Sequence, residues 1–241
     1  MLLLWSASAL CVADSVTSKD IARVLQSMTP ASNLPYQESL EALYRASDRQ
    51  LIWTDPVLYK QLQIGIEESY LDGLNPADYR PPALPADSAG DPIAQDIATS
   101  VGFLSLLRHL HAGKIDPRTV HADWNISRKG YAESDLQAAG AIARRDVAAA
   151  LQATRPQQAV YRQLKRGLAR YRSIQAAGGW PPVISSTAIK PGDSTPAVPQ
   201  LRRRLAITGD YHPNPDELDN PILDQELVAA LKTFQKRHLL P

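Results

Sequence analysis

The sequence contains a single cysteine, Cys11, close to its N-terminus. The body of the chain therefore holds no disulfide, no cysteine-based zinc site and no thiol nucleophile. Glycine-rich phosphate loops and the HExxH and GxSxG signatures are also absent. These absences exclude the most recognisable catalytic centres, and we predict no catalytic residue, no cofactor and no metal ion in this chain.

Phenylalanine is scarce, with two in 241 residues, so we expect a core of Leu, Ile, Val and Ala. No sustained alternation of apolar and polar residues occurs, and no Asn-Gly or Asp-Gly pair is flanked by strand-like segments. An apolar content of 44% is enough for a core, and 19 prolines favour helices with defined ends over long strands. The sequence therefore predicts an all-α protein.

Acidic residues are nearly missing from residues 147–209, which contain ten Lys and Arg against one Asp. Such a basic belt attracts polyanions. A helical nucleic-acid-binding or adaptor protein that uses residues 155–204 is therefore the alternative function. A solvated helix face is the simpler interpretation, because the helix in this belt has an apolar stripe that we predict to be its buried side. The stripe consists of Tyr161, Leu164, Leu168 and Tyr171.

The histidines do not form a metal-binding pattern. His109 and His111 are two positions apart, which places them on different faces of a helix. A zinc site built on the following loop, with Asp116, His121 and Asp123, is a weaker alternative to surface and capping roles.

The first thirteen residues are apolar and end in the small-x-small pattern of Cys11 to Ala13. This resembles the apolar region and cleavage site of a secretory signal, although no Lys or Arg precedes Lys19. The run is too short to span a bilayer. We predict a signal peptide over 1–13, a periplasmic location and no stable membrane anchor.

Helical periodicity divides the rest of the chain into a body, a linker and a C-terminal pair of helices. The body, 14–180, is predicted to be helical over 18–28, 35–47, 56–71, 92–112, 134–154 and 156–177. An apolar trio, 51–53, reads as a buried extended segment. The linker is 181–195, and the last helices are predicted over 196–207 and 224–238.

Three tryptophans of the body have two interpretations. Trp53, Trp124 and Trp180 could stack on sugar rings, but each lies at an element boundary beside a Pro or Asp. Buried anchoring is commoner there, so we favour a structural role for all three.

The stretch 178–241 resembles the peptidoglycan-binding domain of bacterial cell-wall enzymes, and we place the domain itself at 196–241. The pattern is Lys190-Pro191-Gly192-Asp193, then Leu-Arg-Arg-Arg-Leu at 201–205, Thr208-Gly209-Asp210, and Phe-Gln-Lys-Arg-His at 234–238. That domain has three helices, and the resemblance covers two, which implies an incomplete and loosely held module. The resemblance implies peptidoglycan as partner, and we predict contacts to it from Arg202, Asp210, Gln235 and Lys236.

The body resembles the helical scaffold domain that precedes this module in large L,D-transpeptidases. The resemblance is carried by Leu-Ile-Trp-Thr at 51–54, Asp72-Gly73-Leu74, Gly-Lys-Ile-Asp-Pro at 113–117 and Gly-Gly-Trp-Pro at 178–181, in this order. It implies the non-catalytic front part of a cross-linking enzyme, with a Ser-His-Gly-Cys type catalytic domain encoded downstream. It also implies that nucleic acid is not the partner.

Overall fold

The computed structural model describes residues 16–27, 36–81, 90–127 and 129–240. Within these ranges the chain forms nine α-helices and no β-strand, which confirms the predicted all-α class. The predicted signal peptide, including Cys11, lies outside the described residues. The helices are α1 (Ser18–Ser27), α2 (Gln37–Ala46), α3 (Pro56–Glu68), α4 (Pro92–Ala112), α5 (Ala132–Arg144), α6 (Val147–Thr154), α7 (Ala159–Ala176), α8 (Ala197–Thr208) and α9 (Gln225–Arg237).

The chain divides into two compact units, Met1–Lys165 and Arg166–Pro241, and the division falls within α7. The N-terminal unit contains α1 to α6 and the first part of α7. The C-terminal unit contains the rest of α7 together with α8 and α9. None of the described helices is both long and apolar enough to cross a membrane.

Helix α4 is the centre of the N-terminal unit. Asp91 caps its start by accepting the Ile93 amide at 2.9 Å, and the helix ends at Gly113, so its bounds are those predicted. Twelve of its 21 residues are buried, and they face several sides because α2, α5 and α6 all pack against it. A helix that is covered on several sides needs no polar stripe of its own.

A buried carboxylate on α4 holds the segment between α2 and α3. Asp96 accepts hydrogen bonds from the Tyr44 hydroxyl at 2.6 Å and from the amides of Ile52 and Trp53 at 3.1 and 2.8 Å. The Trp53 indole donates to Ser100 at 2.9 Å. Burial raises the pKa of Asp96, against the lowering effect of these hydrogen bonds. Ile52 and Trp53 are buried as predicted and Leu51 is half-buried. The segment is a turn and not extended, because the amides of Ile52 and Trp53 both point toward one carboxylate.

A second carboxylate anchors the start of α7. Asp72 follows α3 in a 3₁₀ turn and accepts hydrogen bonds from Arg155 at 2.8 Å, Tyr161 at 2.7 Å and Lys165 at 2.5 Å. Its side chain is 1% exposed. Burial raises its pKa, but the hydrogen bonds outweigh burial and the net pKa is lowered.

The predicted helix over 134–154 is two helices. Arg145 adopts the left-handed conformation, with φ of 54°, and Asp146 caps α6 by accepting the Ala149 amide at 2.9 Å. The Gln61 side chain of α3 accepts the Val147 amide at 2.7 Å. The one Gly of this Ala-rich pattern, Gly140, lies inside α5, and neither Gly nor Pro stands at the break itself. The tertiary contact from α3 supports the break.

The predicted buried stripe of α7 is wrong. No side chain of this helix is buried, and Leu164 is 67% exposed. The helix is attached by polar contacts to Asp72 instead of by apolar packing, a distinction that periodicity alone does not make.

The C-terminal unit is organised around the facing sides of α8 and α9. Gly209 ends α8 in the left-handed conformation, with φ of 72°, and Asp224 caps α9 by accepting the Leu227 amide at 2.9 Å. The sequence predicts the left-handed cap at Gly209 and offers Asp219 or Asp224 as the cap of α9, of which the structure selects Asp224. The buried apolar residues between the helices are Val198, Leu205, Tyr211, Leu223, Leu227 and Ala230.

The Lys-Pro-Gly-Asp motif is the turn that leads into this unit. Gly192, with φ of 89°, donates its amide to the Leu223 carbonyl at 2.9 Å, and the Leu223 amide returns to the Asp193 carbonyl at 2.9 Å. The Asp193 carboxylate accepts the Lys190 amide at 2.7 Å. The motif therefore ties the entry of α8 to the entry of α9.

Candidate functional site

The four residues predicted to contact peptidoglycan have different environments. Lys236, in the last turn of α9, is exposed and its ammonium has no partner among the described residues. Gln235 beside it is half-buried. Asp210 is engaged with Arg237, and Arg202 is inside the unit. Only Lys236 and Gln235 offer side-chain groups directly to a ligand in this structure.

The contact with peptidoglycan that is predicted for Arg202 requires a side chain that reaches solvent. Arg202 is 0% exposed instead, and its guanidinium donates to Tyr211 at 2.5 Å, to the carbonyls of Asn220 and Ile222 at 3.1 and 2.8 Å, and to Asp224. A planar guanidinium with several donors suits such a set of acceptors. Arg202 thus fixes the loop before α9, and a ligand contact from it stays a prediction.

Asp210 connects the end of α8 to the last turn of α9. Its carboxylate accepts hydrogen bonds from the Thr208 hydroxyl at 2.7 Å and from two nitrogens of Arg237 at 2.9 and 2.6 Å. Partial burial raises its pKa, but the hydrogen bonds from Arg237 and Thr208 outweigh burial and the net pKa is lowered. This bidentate pair holds the basic end of α9, where Lys236 projects, in a defined place.

An aromatic group adjoins this pair. The Arg204 guanidinium stacks 3.4 Å above the Trp180 ring and lies 5.8 Å from the centre of Phe234. Tyr171 meets Trp180 edge-on, with ring centres 6.1 Å apart. Burial lowers the pKa of Arg204, and one of its terminal nitrogens is buried without a hydrogen-bond partner among the residues that the structure describes. Its cation–π contact with Trp180 partly offsets that desolvation.

A cavity opens beside Trp180. It has a volume of about 410 Å³ and is lined by Tyr171, Ile174, Gln175, Gly178, Gly179 and Trp180. Both glycines have positive φ and would meet no atom within 4 Å if they carried a Cβ. The Gly-Gly-Trp motif thus ends α7 and forms one wall of an open, partly aromatic cavity.

The tryptophan predictions have separate outcomes. Trp53 is buried and hydrogen-bonded, as predicted. Trp124 and Trp180 are 40% and 38% exposed, so the preference for buried anchoring is wrong for these two. The sequence signal at Trp180 is the glycine pair before it, since Gly178 and Gly179 line the same cavity as the Trp180 ring.

Most cations of the basic belt contact other groups of the protein. Arg155 and Lys165 bind Asp72, Arg170 donates to the Thr208 carbonyl, and Arg203 pairs with Asp219. Such cations are less available to a polyanion than the sequence alone indicates. Among the described residues, no group of three His, Cys, Asp or Glu side chains is arranged to hold a metal ion.

A family model with the description Scaffold domain matches residues 38–168 of the chain, which is more than half of it. The chain belongs to the Scaffold domain family. The Scaffold domain match begins in α2 and ends in α7, and it includes both buried carboxylate centres, Asp72 and Asp96. Helices α8 and α9 lie outside it. A search of curated proteins and a search of solved structures found no match.

Proposed function

We propose that this chain is the non-catalytic, peptidoglycan-associated part of an L,D-transpeptidase type of cell-wall enzyme. The observation that carries the proposal is the Scaffold domain match at residues 38–168 followed by a separate helical unit with the predicted binding-module pattern. The family match establishes that the chain is a Scaffold domain protein. Peptidoglycan binding, export to the periplasm and a catalytic domain encoded downstream are the proposal.

The proposed contact surface is the basic end of α9. Lys236 supplies an exposed ammonium group there, and Gln235 supplies a side-chain amide. The Asp210–Arg237 ion pair holds the last turn of α9 in position. Stem peptides of peptidoglycan carry carboxylates, which an exposed ammonium attracts. Arg202 fixes the loop that leads into α9, which lies at the opposite end of this helix from Lys236.

The alternative, nucleic-acid binding through residues 155–204, has less support. Arg155 is buried against Asp72, and Arg202 is buried among the α9 loop carbonyls. The belt therefore presents fewer free cations than its charge count suggests. We propose no nucleic-acid partner and no cofactor.

The test is co-sedimentation of the purified chain with peptidoglycan sacculi. We expect the wild-type chain to sediment and Lys236→Glu to sediment less, with binding weakened by salt. The matched control is Lys60→Glu, which makes the same charge change at an exposed position of α3 in the N-terminal unit. Absence of sedimentation by the wild-type chain, or equal losses in both variants, would contradict the proposal.

The same preparation tests the alternative function. Double-stranded DNA is titrated with the chain in place of sacculi. Binding to DNA that falls steeply with salt, without binding to sacculi, would replace the proposed function by the alternative.

A further inference from the structure

We infer that the cavity beside Trp180 is a subsite for a sugar ring of a β-1,4-linked N-acetylated glycan. The inference rests on the proposed function and deepens it, because it assigns the carbohydrate part of peptidoglycan to a place apart from the basic end of α9. All the residues that carry it belong to the C-terminal unit.

The shape of the cavity suits a small polar ligand with an apolar face. Its volume of about 410 Å³ falls within the range of roughly 300–1,000 Å³ that ligand clefts occupy. Trp180 is 38% exposed and Tyr171 is 41% exposed, although both aromatic rings line the cavity. Apolar side chains that are grouped and open to solvent are a feature of ligand-binding grooves.

The Trp180 ring is held in place without being covered. The Arg204 guanidinium lies over one face at 3.4 Å, and Tyr171 meets the ring at an interplanar angle of 78°. These contacts restrict the ring while part of its surface stays in the cavity. A preorganised aromatic surface lowers the entropic cost of binding. Arg204 is therefore a positioning residue for Trp180.

The composition of the walls favours a carbohydrate. A pyranose ring has an apolar face of C–H groups and a rim of hydroxyl groups. Trp180 and Ile174 match the apolar face, whereas the Gln175 amide, on the exposed side of α7, can donate to and accept from hydroxyls. Within the described part of the chain, no charged side chain lines the cavity. An uncharged sugar therefore fits better than a carboxylate-bearing stem peptide.

The experiment is calorimetric titration of the full chain with β-1,4-linked N-acetylglucosamine tetrasaccharide, beside the sacculus assay. We expect wild-type binding and at least about a tenfold loss in Trp180→Ala, the change expected when one good contact is removed. Gln175→Ala, an exposed substitution that should not disturb folding, is expected to weaken binding as well. The matched control is Trp124→Ala, since Trp124 is 40% exposed and lies in the other unit.

The outcomes separate this inference from the proposed function. No tetrasaccharide binding, with sacculi still bound equally by wild type and Trp180→Ala, would overturn the glycan subsite alone. Tetrasaccharide binding that depends on Trp180 and Gln175, without binding to sacculi, would support the subsite and overturn the proposed function. A soluble stem peptide is titrated in the same way. If the wild-type chain binds the peptide but not the tetrasaccharide, and Trp180→Ala loses peptide binding, the cavity is a peptide site and the inference is overturned.

Discussion

At the scale of single residues, two buried carboxylates of the N-terminal unit differ in what surrounds them. The hydrogen-bond donors to Asp96 among the described residues are all neutral, and burial raises the pKa of Asp96. Asp72 accepts from Arg155 and Lys165 as well as Tyr161, and its pKa is lowered. The difference is the presence of cations, which compensate for lost hydration of the charged form.

Replacement of Asp96 by Asn tests the first environment. The amide group of Asn would face one of the N–H groups of Ile52 and Trp53, so we expect a loss of about 1–3 kcal/mol in the free energy of unfolding. The pKa of Asp96 is higher in the folded protein than in the unfolded chain, where it is about 3.9. The contribution of Asp96 to the free energy of unfolding is therefore complete below about pH 3.9 and is lost as the pH rises through the folded-state pKa. The gap between wild type and Asp96→Asn, measured by urea unfolding, should therefore narrow with rising pH.

Replacement of Arg202 tests whether a buried arginine stabilises the C-terminal unit. Substitution by Met leaves Tyr211, Asp224 and two loop carbonyls without their donor, and we expect a loss of about 3–5 kcal/mol. The control is Arg203→Met, whose pair with Asp219 is exposed and contributes about 0–1 kcal/mol. Equal effects of the two substitutions on unfolding of the C-terminal unit would contradict the structural role of Arg202.

At the scale of elements, the attachment of α7 depends on Asp72. Asp72→Asn weakens the contacts with Arg155, Tyr161 and Lys165, and the expected loss is about 3–5 kcal/mol. The folded pKa is lowered, so this contribution is present above about pH 3.9 and is lost as pH falls through the folded pKa. The difference in the free energy of unfolding between wild type and Asp72→Asn, measured by urea unfolding, should therefore widen with rising pH. The corresponding difference for Asp96→Asn should narrow.

The control for Asp72 is Glu68→Gln. Glu68 reaches the same Arg155 at 3.5 Å, but its side chain is 53% exposed. The expected loss is about 0–1 kcal/mol. A loss from Glu68→Gln as large as that from Asp72→Asn would mean that burial is not what makes the Asp72 contact strong.

Two glycines within helices give a further prediction. A Cβ at Gly102 of α4 would lie 2.3 Å from the Tyr79 carbonyl oxygen, a backbone atom that cannot move aside, whereas a Cβ at Gly167 of α7 would meet nothing within 4 Å. Gly102→Ala should lower the free energy of unfolding by about 1–3 kcal/mol. Gly167→Ala should raise it by about 0.5–1 kcal/mol through helix propensity. Thermal unfolding of both variants checks the sign of each change.

At the scale of the whole molecule, the two units differ in the size of their cores. Among the described residues, the N-terminal unit has 24 buried apolar residues in one cluster and the C-terminal unit has six. A smaller core supplies less stabilisation, so the C-terminal unit should open at lower free energy. We expect amides of Gln225–Phe234 to be less protected in native-state hydrogen exchange than those of α4. Equal or stronger protection would contradict this prediction.

Much of the fold followed from local patterns. The bounds of α4, the left-handed cap at Gly209 and the cap of α9 by Asp224 are encoded by Pro, Gly and Asp at helix ends, whose effects are local. The break between α5 and α6 has one such local signal, the capping residue Asp146, but no Gly or Pro. It is supported by the contact from Gln61, a residue far away in sequence.

The features of the candidate site also fall into two groups, those set by local sequence and those set by tertiary contacts. The sequence by itself determined the helical class, the ends of the best-defined helices and the positions of aromatic and basic residues in the C-terminal unit. Only the tertiary structure decided that Arg202 is buried, that Trp180 is open beside a cavity and that α7 buries no apolar stripe. The physical reason is that capping and periodicity act over a few residues, whereas burial of a side chain depends on segments distant in the chain. An arginine in a basic run has the same local pattern whether solvent or a set of loop carbonyls surrounds it.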